Sequence, residues 1–191
     1  MNRRRFLISA ASSGVALAGA GVLSAPAAAA TDDDLALANF GAATELLLKD
    51  FYAKAREAKI FGAQLNDAFA HGGFAATEHI TALSSVLEES GQTAPLAEDF
   101  EFAWPTGTFT GRKAAATAGQ TVVETLLGAY LTGAATSPTS SFRVLYASLA
   151  ASLGEQRSTL SLARGRHAIG NSFPTALDLE TASAAVERFL G

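Results

Sequence analysis

The chain has 191 residues, enough for one ordinary domain, and 49% of them are hydrophobic, which allows a packed core. It contains no cysteine, which excludes disulfides, thiolate metal sites and cysteine nucleophiles. Its net charge is −4; without Arg3, Arg4 and Arg5 the 14 basic residues become 11 against 18 acidic ones, a net charge of −7. Such an acidic chain is not expected to bind nucleic acid.

The first 30 residues predict an export signal. Residues 3–7 fit the twin-arginine signature, which is two arginines, any residue and two apolar residues. The uncharged stretch that follows is too weakly hydrophobic for a stable membrane span and ends in Ala28-Ala29-Ala30, so we expect cleavage before Thr31. These features predict a bacterial protein exported in folded form to the periplasm, cell envelope or exterior. An ordinary secretory signal and an uncleaved anchor are the alternatives.

Residues 31–191 predict one all-α domain. Apolar residues recur at helical spacing in five segments, residues 32–58, 65–89, 112–135, 140–163 and 178–190. The aspartates at 32–34 suit the start of the first helix, Thr110 is a candidate cap for the third, and Thr139 or Ser140 for the fourth. The pair Gly72-Gly73 suggests a bend within the second helix.

Residues 92–111 predict a long connection between two helix pairs. They include Pro95, Trp104 and Pro105 and show no sustained periodicity; Trp104 is expected to pack this connection onto the helices. About 20 extended residues reach roughly 65 Å, whereas a 25-residue helix is roughly 35 to 40 Å long. The segment can therefore cross from one end of a bundle to the other, as in a ferritin-like four-helix bundle with one long crossover and a short C-terminal helix.

Each long helix carries one ionisable residue that we place on its inward side. They are Glu45, His79, Glu124 and Glu155. Burial of a lone carboxylate is costly, so such groups usually share a proton, pair with a cation or bind a metal. Three glutamates and a histidine suit iron, manganese or zinc. The alternative for each residue is a hydrogen-bonded structural role.

One segment of each long helix matches a family pattern. The segments are 45–52, with Tyr52 seven residues after Glu45, 77–83 around His79, 123–131 around Glu124, and 153–157 around Glu155. They resemble the ligand motifs of exported bacterial ferritin-like domain proteins, relatives of rubrerythrin and ferritin, over nearly all of residues 31–191. The resemblance implies a ferritin-like fold with these four residues as metal ligands.

Two positions depart from the family pattern. Ala76 stands where the pattern has a glutamate three residues before His79, and Ser158 stands where it has a histidine. Glu78 points away from His79, and we expect it in solvent. The departures imply a degenerate dinuclear site.

Three functions follow as hypotheses. The first is a binding or structural protein of the cell envelope with a degenerate metal site and no cofactor. The second is a redox or storage protein that keeps iron or manganese in a reduced Glu/His site. The third is a helical interaction module without ferritin ancestry. A homo-oligomer and a protein or small-molecule partner are compatible with each, and Arg164 and Arg166 suggest either an anion site or a solvated helix end.

Overall fold

The computed structural model describes residues 30–170 and 173–190, and this part of the chain is all-helical. The α-helices within these ranges are α1 (Asp32–Glu57), α2 (Ala63–Glu89), α3 (Arg112–Thr136), α4 (Ser140–Ala163) and α5 (Leu179–Val186). A 3-10 turn, Glu187–Phe189, continues α5. The predicted export signal lies outside the described residues, except for Ala30. None of the described helices combines the length and the apolar character that crossing a membrane would require.

Capping chemistry fixes the start of α1. The Thr31 hydroxyl accepts a hydrogen bond from the Asp34 N–H at 3.2 Å, and the Asp34 carboxylate accepts one from the Thr31 N–H at 3.2 Å. This reciprocal pair satisfies two N–H groups that a helix start leaves unpaired. The start at Asp32 agrees with the prediction, whereas α3 is capped by Gly111 rather than Thr110. Helix α2 passes through Gly72-Gly73 as one uninterrupted helix.

Contacts at two heights show that α3 runs antiparallel to α1. Near the end of α1, the Phe51 ring packs against Gly119, which lies in the first half of α3. Near the start of α1, Leu37 packs against Gly133, close to the end of α3. Each glycine lets a large side chain approach the α3 backbone closely.

Two hydrogen bonds show that α4 runs parallel to α1. The Tyr146 hydroxyl, early in α4, donates to the backbone carbonyl of Asp34 at the start of α1. The Tyr52 hydroxyl, near the end of α1, donates to the Gln156 side chain late in α4. Because short turns join α1 to α2 and α3 to α4, the helices point up, down, down and up. The connection between α2 and α3 therefore spans the full height of the helices, as predicted.

The core lies between these four helices. The most extensive contacts are those of α1 with α2 and of α3 with α4, and the two pairs meet through α1 with α3 and α2 with α4. Large fully buried side chains come from each long helix; they include Phe40, Phe51, Phe69, Leu83, Leu126, Tyr130, Tyr146 and Leu153. The arrangement is bundle-like, with apolar faces turned toward a common centre.

Trp104 fixes the long connection to α1. Its indole N–H donates to the Asp50 carboxylate at 2.7 Å, and its ring packs against Phe51 and Phe189 with centroids 5.5 and 5.0 Å away. The Ala103 N–H donates to the Phe189 carbonyl at 2.8 Å, so the residues after α5 pack directly against the connection. The prediction that Trp104 packs the connection onto the helices is confirmed.

Candidate functional site

A buried carboxyl–imidazole pair joins α1 to α2. Glu45 lies in the middle of α1 and is fully buried, and the His79 side chain is 12% exposed. The Nδ1 atom of His79 lies 2.8 Å from Oε1 of Glu45, a hydrogen-bonding distance. The helical periodicity placed both residues inward, and the structure brings these two predicted site residues together.

Two tyrosines and a glutamine extend this pair across the core. The Tyr52 hydroxyl donates to Oε1 of Gln156 at 2.8 Å, which links α1 to α4. The Tyr130 hydroxyl, from α3, packs against the backbone of Gly41. Every one of the four long helices therefore contributes a polar group to the same buried region, but α3 and α4 supply Tyr130 and Gln156 rather than the predicted glutamates.

Three buried atoms in this region lack a hydrogen-bond partner among the described residues. They are Oε2 of Glu45, the hydroxyl oxygen of Tyr130 and Nε2 of Gln156. Buried polar groups in proteins are nearly always hydrogen-bonded, and an unmade bond costs about 1 to 3 kcal/mol. Buried polar atoms are therefore concentrated in this region, and some of them lack a hydrogen-bond partner among the described residues.

Burial controls the ionisation of the Glu45 carboxyl. Loss of solvent raises the pKa of Glu45, and the hydrogen bond and charge of His79 oppose that rise only in part. The Tyr130 hydroxyl also favours the charged carboxylate, although its geometry falls short of a hydrogen bond. Burial and the Glu45 charge raise the pKa of both Tyr52 and Tyr130, so both phenols stay protonated. Tyr52 donates its proton to the hydrogen bond with Gln156.

Glu124 lies on the outer surface, away from Glu45. Its side chain is 44% exposed, and its Oε1 accepts hydrogen bonds from Nε of Arg157 and Nε2 of Gln120, each at 2.8 Å. The expectation that Glu124 faces inward is wrong. It lies on the side of α3 that carries Thr117 and Thr121, whose hydroxyls bond to backbone carbonyls one turn earlier.

Glu155 is also exposed, and its neighbour Gln156 is the buried residue at this level of α4. Successive helix residues are rotated by about 100°, so an error of one position turns a core residue into a surface residue. The inward placement of Glu155 is therefore wrong as well. Glu78 is exposed, as expected, and Ala76 is fully buried at the position where the family pattern has a ligand.

The residues present do not fit a dinuclear metal centre. Within residues 30–170 and 173–190, no three histidine, aspartate or glutamate side chains converge in a way that could hold a metal ion. A dinuclear carboxylate centre needs a bridging carboxylate and a ligand set for each ion. Glu45 and His79 supply two ligand groups, fewer than a dinuclear centre needs, and they are hydrogen-bonded to each other. That this pair holds a single metal ion stays a prediction.

Sequence reasoning missed the buried roles of Tyr130 and Gln156. Tyr130 lies in segment 123–131, where the family pattern points to Glu124, and Gln156 directly follows the predicted Glu155. Together with Glu45 and His79 they form a buried polar group around the carboxyl–imidazole hydrogen bond. No protein-family model matches the chain, and no curated protein matches it.

Proposed function

We propose that this chain is an exported ferritin-like four-helix bundle whose dinuclear site is degenerate, and that it acts as a binding or structural protein of the cell envelope. The observation that carries the proposal is the direct hydrogen bond between Glu45 and His79. It occupies the centre of the helices, where a ferritin-like protein would hold its metals. The glutamates of α3 and α4 that would complete a ligand set, Glu124 and Glu155, lie on the surface.

The helix directions support the ferritin-like part of the proposal. Two antiparallel pairs, α1 with α2 and α3 with α4, are joined by a crossover that runs the length of the helices. A bundle with three short loops would instead alternate up and down throughout. Topology supports a fold relationship and leaves the activity to the side chains of the site.

Elemental analysis of the processed protein tests the degenerate site. The protein is purified without chelator from cells supplied with iron and manganese, and iron, manganese and zinc are measured. Glu45→Gln and His79→Gln are compared with Glu78→Gln, which changes an exposed glutamate beside His79. We expect far less than one metal ion per chain in all four proteins. About one or two ions per chain, kept in Glu78→Gln and lost in the other variants, would overturn the proposal.

The second candidate is a metal-binding redox or storage protein with a mononuclear iron or manganese site. The observation in its favour is the set of unpaired buried atoms, above all Oε2 of Glu45 and the Tyr130 hydroxyl. Both are oxygen atoms of the kind that these metals accept as ligands. The same metal analysis separates the two candidates, because only this one predicts metal that depends on Glu45 and His79.

Export is tested by changing the twin-arginine pair. Arg3→Lys combined with Arg4→Lys keeps the charge and removes the signature that we assign to the export pathway. We expect the unaltered chain to appear in processed form outside the cytoplasm and the double variant to accumulate unprocessed in the cell. Equal processing of both would assign export to an ordinary secretory signal instead.

A further inference from the structure

We infer that the surface between α3, the end of α4 and residues 164–170 is a binding pocket for a small molecule that carries a carboxylate or phosphate group. The pocket is separate from the buried Glu45–His79 pair and does not depend on the function proposed for that pair. It is a cavity of about 580 Å³, which falls in the usual size range of small-molecule sites. Its charged lining consists of Glu124, Arg157, Arg164, Arg166 and His167.

A chain of hydrogen bonds holds two of these guanidinium groups in place. Nη1 of Arg164 donates to Oε1 of Gln120, and Nε2 of Gln120 donates to Oε1 of Glu124, both at 2.8 Å. Nε of Arg157 donates to the same Glu124 oxygen at 2.8 Å. The two arginines are therefore positioned before any ligand binds, and less conformational entropy is lost on binding.

The arginines keep donors available for a ligand. A guanidinium group has five N–H donors in a planar fork. In the hydrogen bonds formed with described residues, Arg157 and Arg164 each use one nitrogen. Nε of Arg164 also has no partner among these residues, but it is buried, so the donors left for a ligand are the other guanidinium N–H groups. The planar forks match the paired oxygens of a carboxylate or phosphate group.

The charge balance of the pocket favours an anion. The lining contains three arginines and one carboxylate, which leaves two positive charges in excess; these residues are Arg157, Arg164, Arg166 and Glu124. From residue 31 onward the chain has 11 basic and 18 acidic residues, so this local excess is opposite in sign to the rest of the domain. Ile169, 88% exposed at the rim, offers an apolar surface to the part of the ligand that carries no charge.

Calorimetric titration of the full processed protein tests this site. The probes are inorganic phosphate, phenyl phosphate and benzoate at low ionic strength. Arg164→Gln removes a pocket cation, and Arg143→Gln removes an exposed cation elsewhere on α4. We expect at least one probe to bind, Arg164→Gln to weaken it about tenfold or more, and Arg143→Gln to change it less than about twofold. No binding at millimolar concentrations, or equal weakening by both variants, would overturn the inference.

A second pair of variants tests whether anion affinity can be raised. Glu124→Gln removes the only carboxylate in the lining yet keeps an oxygen that accepts from Arg157, so anion affinity should rise several-fold. Glu155→Gln makes the same change of charge on the exposed side of α4, outside the lining, and should leave affinity unchanged. An equal gain in both variants would indicate a general charge effect and count against a built site. Circular dichroism confirms that each variant is folded.

Discussion

The ring of Tyr52 packs on the backbone of Gly72 so closely that a Cβ atom on residue 72 would lie 2.6 Å from the ring carbon Cζ. The next residue, Gly73, would place its Cβ 3.7 Å from Cβ of Tyr52, an ordinary contact distance. The two adjacent glycines therefore have different roles. Gly72 gives the Tyr52 ring the space from which its hydroxyl reaches Gln156, and Gly73 provides no comparable space.

Gly72→Ala is expected to lower the free energy of unfolding by about 1 to 3 kcal/mol, because the new methyl group displaces Tyr52. Gly73→Ala is expected to raise it by about 0.5 to 1 kcal/mol, because alanine is the better helix former. Urea unfolding followed by circular dichroism measures both values. Equal free energies of unfolding for the two variants would show that the close packing on Gly72 does not contribute to stability.

Asp34 gives the protein a dependence on acidic pH. Burial alone would raise the pKa of Asp34, but hydrogen bonds from Ser137, Thr31 and Thr139 outweigh burial and hold it below the ordinary value of 3.8. A carboxyl with a lowered pKa stabilises the fold above the unfolded-state pKa and loses that contribution as the pH falls through the folded-state pKa. The stabilising term is therefore present at neutral pH and lost in strong acid.

Asp34→Asn should cost about 1 to 3 kcal/mol of stability at pH 7, and the difference from the unaltered protein should shrink as the pH falls below about 4. Asp33→Asn, an exposed change in the same helical turn, serves as the control and should have a much smaller effect. Denaturation curves recorded between acidic and neutral pH give both differences. A deficit in Asp34→Asn that stays constant with pH would contradict this assignment.

Glu45→Gln should have the opposite pH dependence. The pKa of Glu45 is raised above 4.5 by burial, so the folded protein binds a proton more readily than the unfolded chain. Stability is then highest below the unfolded-state pKa and falls as the pH rises toward the folded-state pKa, by about 1.4 kcal/mol for each unit of difference between the two. Relative to the unaltered protein, Glu45→Gln should gain stability as the pH rises from about 4.5 to 8.

Thermal unfolding across this pH range measures the effect, with Glu78→Gln as the exposed control that should follow the unaltered protein. Parallel pH profiles for Glu45→Gln and the unaltered protein would mean that the buried carboxyl keeps an ordinary affinity for its proton.

Asp50→Ala should release the crossover from α1. It removes the acceptor of the Trp104 indole N–H and should cost about 1.5 to 3 kcal/mol, the usual range for a hydrogen bond to a charged group. Lys54→Ala removes only the 2.8 Å ion pair with the same carboxylate and should cost less than about 1 kcal/mol. Trp104 is the single tryptophan of the sequence, so its fluorescence reports on this contact directly. Equal losses in the two variants would argue against the indole bond.

The limits of the long helices could be predicted because apolar periodicity and residues such as Pro138 and Gly91 mark them locally. The length of residues 92–111 indicated in the same way that this segment can cross from one end of the helices to the other, since about 20 extended residues are longer than a 25-residue helix. These features depend on neighbouring residues alone.

Helix rotation was harder to predict, and it decided which glutamates face the core. In α4 an inward Glu155 implies that Ala147 and Ala151, which lie on the same side of the helix, also face the core, but both are exposed. The buried face is the one that carries Tyr146, Leu149 and Leu153, since these side chains remove far more apolar area from water. Alanine fits either environment, so an alanine-rich helix is best oriented by its largest side chains.

The packing of Phe189 on Trp104 also constrains the order in which the protein can fold. The pair α1 and α2 and the pair α3 and α4 each depend on contacts between segments close together in the chain, so each can form early. The crossover that joins them makes its contacts with Phe189 only after α3, α4 and α5 have been synthesised. Closure of the crossover is therefore expected to be a late folding step, because the residues after α5 that contact it are made after both helix pairs.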